Sequence, residues 1–294
     1  MSETAQDSKL NFRALVNSKP SLVGSFASFS VLIFSFVVLY YHVLEKLIHD
    51  WIKYENYSHG FLVPAICAYI VWKKRENVIR LSVRPANWAI VILMTGLSLF
   101  VLGNMAAELF TMRFSMLIVI WGLIAFIFGM SIAGRLWVAI GYLIFMIPIP
   151  TIVWNRIAFP LKMFVTKIAV HGMGLLGIPV YAEGNIIHLS NTSLQVVDAC
   201  SGMRSLTSLL ALSAAFSIIS THSLPRKWLL FLSAIPIAIF LNIVRLIATA
   251  ILAQHFGPDI AKGFLHELSG VLVFLSAIGL FYLFHLALAK ISFI

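Results

Sequence analysis

Apolar residues along this chain gather into long runs, each closed by a short polar or basic interval. The runs fall at about 22–44, 57–72, 88–106, 114–133, 136–154, 200–220, 228–252 and 268–289. A helix rising about 1.5 Å per residue crosses a hydrocarbon core of about 30 Å with roughly 20 apolar residues. The pattern therefore predicts an all-α integral membrane protein, a bundle of about eight transmembrane helices. The second run is short and contains Pro64, so it is the least regular. Residues 1–20 are polar and of mixed charge and predict a tail; residues 21–294 read as one transmembrane domain without an internal repeat.

Two intervals depart from the run-and-loop pattern. The segment 156–178 is apolar but carries Arg156, Lys162, Lys167 and His171. A charge at the bilayer centre costs about 2.5–3.5 kcal/mol on insertion scales. The segment is therefore expected to lie in the interface or re-enter from it, with a basic face able to touch lipid phosphates. Residues 180–199 then alternate short β-prone stretches, "NIIHL" and "LQVV", with the turn formers Gly184-Asn185 and a polar "SNTS". This predicts a small hairpin outside the membrane, immediately before Cys200.

Composition sharpens the class. The chain is 61% hydrophobic and 11% charged, far from the balance of a soluble domain. The net charge of +10 is scattered through short loops, with no basic-aromatic surface for nucleic acid. Lys and Arg in short loops hold those loops in the cytoplasm. The loop "KKRENVIRLSVR" at 73–84, the tail, Arg135, Arg226–Lys227 and Lys290 all fall on one side if the chain crosses eight times. Both termini are then cytoplasmic, and no cleavable signal peptide is expected. Two cysteines build no disulfide framework. Cys67, inside "FLVPAICAYIVW", reads as a buried packing residue.

Cys200 has a different setting, "VVDACSGMRSL". Asp198 is a good N-cap type just before an apolar run, which would put Cys200 near the second helical position. A helix N-terminus favours thiolate over thiol. Gly202 leaves room for a substrate backbone beside the sulfur. Arg204 lies one turn on; it holds a thiolate, snorkels to headgroups or pairs with Asp198.

Two later helix ends reach the same depth. Arg245 stands 18 residues after Lys227, about 27 Å along a helix, near the far edge of the core. Flanked by Val244, Leu246 and Ile247, it should point into the bundle, with Asn242 on the same face. His266 opens the last span at the same level, and His59 in "YSHGFLVP" is a second histidine on that side. A thiolate that attacks an acyl carbon, a histidine that protonates the leaving amine and an arginine that stabilises the oxyanion make an acyl-transfer centre. No HExxH or CxxC spacing suggests a metal, and no cofactor is expected.

The stretches "DACSGMRSL", "NIVRLIATAIL" and "HELSGVLVF", with "YSHGFLVPAICAYIVWKKR" earlier, resemble the exosortase/archaeosortase family of membrane-embedded cysteine proteases and transpeptidases. The likeness runs from about residue 55 to 280. It implies Cys200 as the catalytic cysteine, Arg245 as the arginine and His266 as the histidine. It implies PEP-CTERM-like C-terminal sorting signals of exported proteins as substrates: a short motif, an apolar helix and a basic tail. It also implies the bacterial cytoplasmic membrane; the crossing count puts the site on the extracytoplasmic side, and water, a lipid or a glycan amine are the candidate acyl acceptors. A multi-pass transporter or a non-catalytic factor for surface-polymer assembly are the alternative readings. A transporter should place polar residues near the midplane and show inverted repeats.

Overall fold

The computed structural model describes residues 22–190, 193–196, 203–257 and 264–290; for 22–29, 195, 203–205 and 264–269 it defines the helix or strand but not the side chain. Helix α1 (Leu22–Lys53) leads through a 3-10 segment (Glu55–Phe61) into α2 (Leu62–Lys73) and the short α3 (Arg75–Ile79). Helices α4 (Ile90–Met105), α5 (Leu109–Phe128), α6 (Met130–Tyr142) and α7 (Thr151–Leu175) follow. A sheet of β1 (Val180–Glu183), β2 (Ile186–Leu189) and β3 (Ser193–Gln195) comes next, then α8 (Met203–Ile219), α9 (Leu224–Phe256) and α10 (Phe264–Lys290). The chain divides into two compact units, residues up to Lys46 and residues from Leu47 on; all contacts described below lie within the second.

The all-α membrane architecture is observed. Among the described residues, five helical stretches are long and apolar enough to cross a bilayer: Ser30–Lys53, Asn87–Met105, Leu109–Phe128, Leu224–Phe256 and Gly270–Lys290. Met130–Met146 with Thr151–Leu175, bent by 78° at its break, makes a sixth candidate. The expected eight are not reached on these criteria. The runs at 57–72 and 200–220 give helices of 12 and 17 residues, about 18 and 26 Å long.

Two helix boundaries differ from the expected ones. The break anticipated near Arg135 lies at Gly129, and Arg135 sits inside α6. Gly129 has φ 93°, and a Cβ there would stand 2.0 Å from the Arg84 carbonyl oxygen. Only glycine tolerates both the left-handed backbone and that approach, which the Arg84 N–H to Phe128 C=O bond of 3.3 Å holds in place. The second difference is at Ile147–Pro150, which splits the run expected at 136–154. Pro148 and Pro150 have no N–H to continue the ladder, so α7 starts afresh at Thr151 and contains most of the segment anticipated as interfacial or re-entrant.

The anticipated hairpin is a three-stranded antiparallel meander, β1-β2-β3. Its first turn is the two-residue Gly184-Asn185, with positive φ at Gly184 alone among the two, the II′ pattern that suits strand twist. Ser193, read as part of a loop, instead starts β3 and pairs with His188. The sheet is seated by an apolar cluster: Ile187, Leu189 and Val196 pack with Val165, Ala169 and Met173 of α7 and Leu246 and Ala250 of α9.

Candidate active site

Arg245 lies on α9 as the sequence predicts, at the margin of the inward face. Leu241, Asn242, Leu246, Ala250 and Ala253 are the buried positions of that stretch, while Val244 is 46% exposed. Asn242, one turn before Arg245, is fully buried at 1% exposure. The Arg245 guanidinium reaches α10: a Cβ built on Gly270 would stand 3.8 and 4.0 Å from its two terminal nitrogens. Gly270 is four residues after His266, one helical turn along the same face. The fold thus brings the Arg245 guanidinium against α10 at Gly270, one turn from the backbone position of His266.

Asp198, Cys200 and Gly202 lie outside the described residues, and Arg204 is the second residue of α8, its side chain not described. The chain on either side of that segment is well fixed. Val196 is wholly buried, donates its N–H to Asn185 C=O at 2.8 Å and accepts from Asn185 Nδ2 at 3.0 Å. Its apolar partners include Leu246, next to Arg245. On the other side, Thr207 of α8 donates its hydroxyl to Asn56 C=O at 3.4 Å, tying α8 to the 3-10 segment that holds His59.

His59 has a fixed environment. Its Nε2 stands 3.2 Å from the carbonyl of Phe145, to which it donates when it carries the proton. Burial pushes the imidazole below its ordinary value, only partly countered by backbone hydrogen bonds with Phe145 and Asn56. At neutral pH it is an uncharged pin between the 3-10 segment and residues 145–149. Trp51 adds a second pin, donating its indole N–H to Met146 C=O at 2.9 Å. The indole lies flat against Gly60, where a Cβ would come within 2.3 Å of the ring. Cys67 behaves as the packing residue expected, its thiol donating to Ala139 C=O at 3.1 Å between α2 and α6.

One polar group at the ends of α1 and α5 escaped the sequence. Arg113 is 2% exposed and its Nη2 donates to Asp50 Oδ2 at 2.6 Å. Glu108 caps α5 by accepting the N–H groups of Phe110 and Thr111. Burial alone would raise the Glu108 carboxyl, but these bonds and the Arg113 charge together hold it below the ordinary range. The Tyr57 hydroxyl, beside the pair, is pushed up by burial and then by Asp50. Nothing in the spacing links Asp50 to a position 63 residues on; the signal available was a charge just inside an apolar run at Arg113.

A family model described as transmembrane exosortase matches residues 51–283. The chain belongs to the transmembrane exosortase family. No curated protein and no solved structure matches the chain. The match to the exosortase family begins at Trp51 and takes in the 3-10 segment, the sheet, Arg245 and Gly270. It makes this a multi-pass membrane protein of a family associated with protease or transpeptidase activity.

Proposed function

We propose that this exosortase family member is a membrane-embedded cysteine protease or transpeptidase acting through Cys200, His266 and Arg245. The observation that carries the reading is the Arg245 guanidinium lying against Gly270, one turn from His266 on α10. Arginine and histidine are both residue types that serve acyl transfer, and Arg245 stands one helical turn from the backbone position of His266. Chain length supports the third. Residue 200 is four residues beyond Val196, so it stays within about 14 Å of a position packed beside Leu246.

In the proposed reaction the Cys200 thiolate attacks the scissile carbonyl carbon and a C–S bond forms. The carbonyl electron pair moves onto oxygen, where Arg245 offsets the charge. The C–N bond then breaks, and His266 gives its proton to the departing amine. Water, or an amine or hydroxyl of an envelope acceptor, then attacks the thioester carbon and gives its proton to His266; the C–S bond breaks and the thiolate leaves. The substrate is a C-terminal PEP-CTERM-like sorting signal of an exported protein. Its apolar helix enters beside the bundle, and its scissile bond meets Cys200 at the extracytoplasmic face of the bacterial cytoplasmic membrane, with both termini of the enzyme inside.

Cys200→Ala is expected to abolish cleavage of a sorting-signal substrate while leaving the protein in the membrane. Arg245→Lys is expected to be a poor substitute, since the planar fork is lost. Normal processing by a membrane-inserted Cys200→Ala variant overturns the proposal.

A further inference from the structure

A second charged group lies away from the Arg245 face, around the last turn of α8. Lys73, ending α2, donates its ammonium to Ile219 C=O at 3.0 Å. Ser217, two residues earlier on α8, donates to the carbonyl of Lys227 at 2.8 Å. The end of α8 thus joins the end of α2 to the start of α9. Helix α6 is fastened to α2 through the Cys67 thiol and Ala139 C=O, at 3.1 Å. From that point α2 runs six residues on to Lys73, with Lys74 as its C-cap, and Arg135 lies four residues before Ala139. Lys74, Arg135 and Lys227 therefore converge from three elements.

Among the described residues no carboxylate forms an ion pair with any of the three. Among the described residues the buried and partly buried ion pairs lie elsewhere, Arg113 with Asp50 and His188 with Glu183. The Lys74 ammonium is held below its ordinary value, first by burial and then by the charges of Lys227 and Arg135. Three like charges held together repel one another, and a negative ligand relieves the arrangement.

The surroundings say which ligand. Each cation has a tryptophan within two residues: Trp72 before Lys74, Trp137 after Arg135 and Trp228 after Lys227. All three rings are exposed, at 58%, 61% and 58%. Exposed tryptophans on a spanning bundle sit at the headgroup level, where the ring is half in hydrocarbon and half in water. A basic pocket between helices at that level suits a lipid phosphate. Arginine adds a planar fork that can hold two phosphate oxygens at once.

We infer that Lys74, Arg135 and Lys227 form a binding site for the phosphate of an anionic phospholipid, with Trp72, Trp137 and Trp228 fixing it at the headgroup level. The occupant clamps α2, α6 and α9 around the end of α8. This site is independent of the proposed chemistry at Cys200.

The test is lipid titration of the purified protein, read by native mass spectrometry, with phosphatidylglycerol against phosphatidylcholine. The wild-type protein should retain phosphatidylglycerol preferentially. Each of Lys74→Gln, Arg135→Gln and Lys227→Gln should weaken that retention about fivefold, and the triple variant by more than tenfold. A control with the same charge loss elsewhere, Arg80→Gln with Lys53→Gln and Lys290→Gln, should keep the wild-type preference. Millimolar inorganic phosphate should fail to displace the lipid. The single variants decide the matter if the triple variant does not fold. Unchanged retention in the site variants, equal loss in the control, or displacement by free phosphate overturns the inference.

Discussion

Gly270 offers a graded probe of the Arg245 site. A Cβ built on Gly270 has its nearest neighbour, an Arg245 terminal nitrogen, at 3.8 Å. A methyl group at that distance makes ordinary van der Waals contact and displaces nothing. Gly270→Ala should therefore keep its cleavage activity, and the exchange of glycine for alanine inside a helix adds roughly 0.5–1 kcal/mol of stability. Gly270→Leu carries its branch about 2.5 Å farther out, into the volume the guanidinium occupies. Arg245 must then move by an ångström or more. A misplacement of that order costs about 100-fold in rate, and loss of one oxyanion donor costs about 100–1000-fold. The assay is cleavage of a sorting-signal substrate in isolated membranes, paired with a thermal-unfolding measurement in detergent. The expected pattern is near-normal activity for Ala, a loss of at least about 100-fold for Leu, and folded protein in both. Full activity in a folded Gly270→Leu variant would refute the reasoning, because Arg245 would then be dispensable in the position found.

Breaking the Asp50–Arg113 pair from one side, by Asp50→Asn or Arg113→Met, should lower stability by about 3–5 kcal/mol, since the partner is left charged and buried; the double variant should recover much of it. Equal melting temperatures for single variants and wild type would show the pair to be idle. Gly60→Ala should cost about 1–3 kcal/mol through the clash with the Trp51 ring, visible as a lowered midpoint in thermal unfolding. His59 sets a pH dependence: its folded value is depressed below about 6.5, so the unfolded chain binds more protons. Its contribution is present above about pH 6.5 and is lost as pH falls through the folded value. Unfolding midpoints between pH 8 and 5 should fall more steeply for wild type than for His59→Gln, and parallel curves would contradict this.

The membrane class and the position of Arg245 on an apolar helix were legible because each follows from local pattern. Apolar neighbours on both sides force an arginine inward, whatever the partner helix turns out to be. The Gly129 break was not legible, because Gly103 and Gly122 sit within helices in similar apolar surroundings. What distinguishes Gly129 is the backbone of Arg84, distant in sequence. The Asp50–Arg113 pair was hidden for the same reason, its two charges standing at the ends of different runs. Asn185 was read as a turn former, which it is, but its hold on Val196 depends on a third strand that the polar "SNTS" disguised. The Lys74, Arg135 and Lys227 group could be read only as topology, since convergence of three elements on the end of α8 is a property of packing.

The central claim concerns one sulfur atom. Substrate should be mixed with the enzyme in membranes, the reaction quenched in acid, and the peptide bearing Cys200 examined by mass spectrometry. The account predicts the mass of the substrate's acyl fragment on Cys200 as a thioester that hydroxylamine removes, with Gly270→Leu reducing its yield. Substrate turnover with Cys200 unmodified, and undiminished when Cys200 is replaced by alanine, would contradict it.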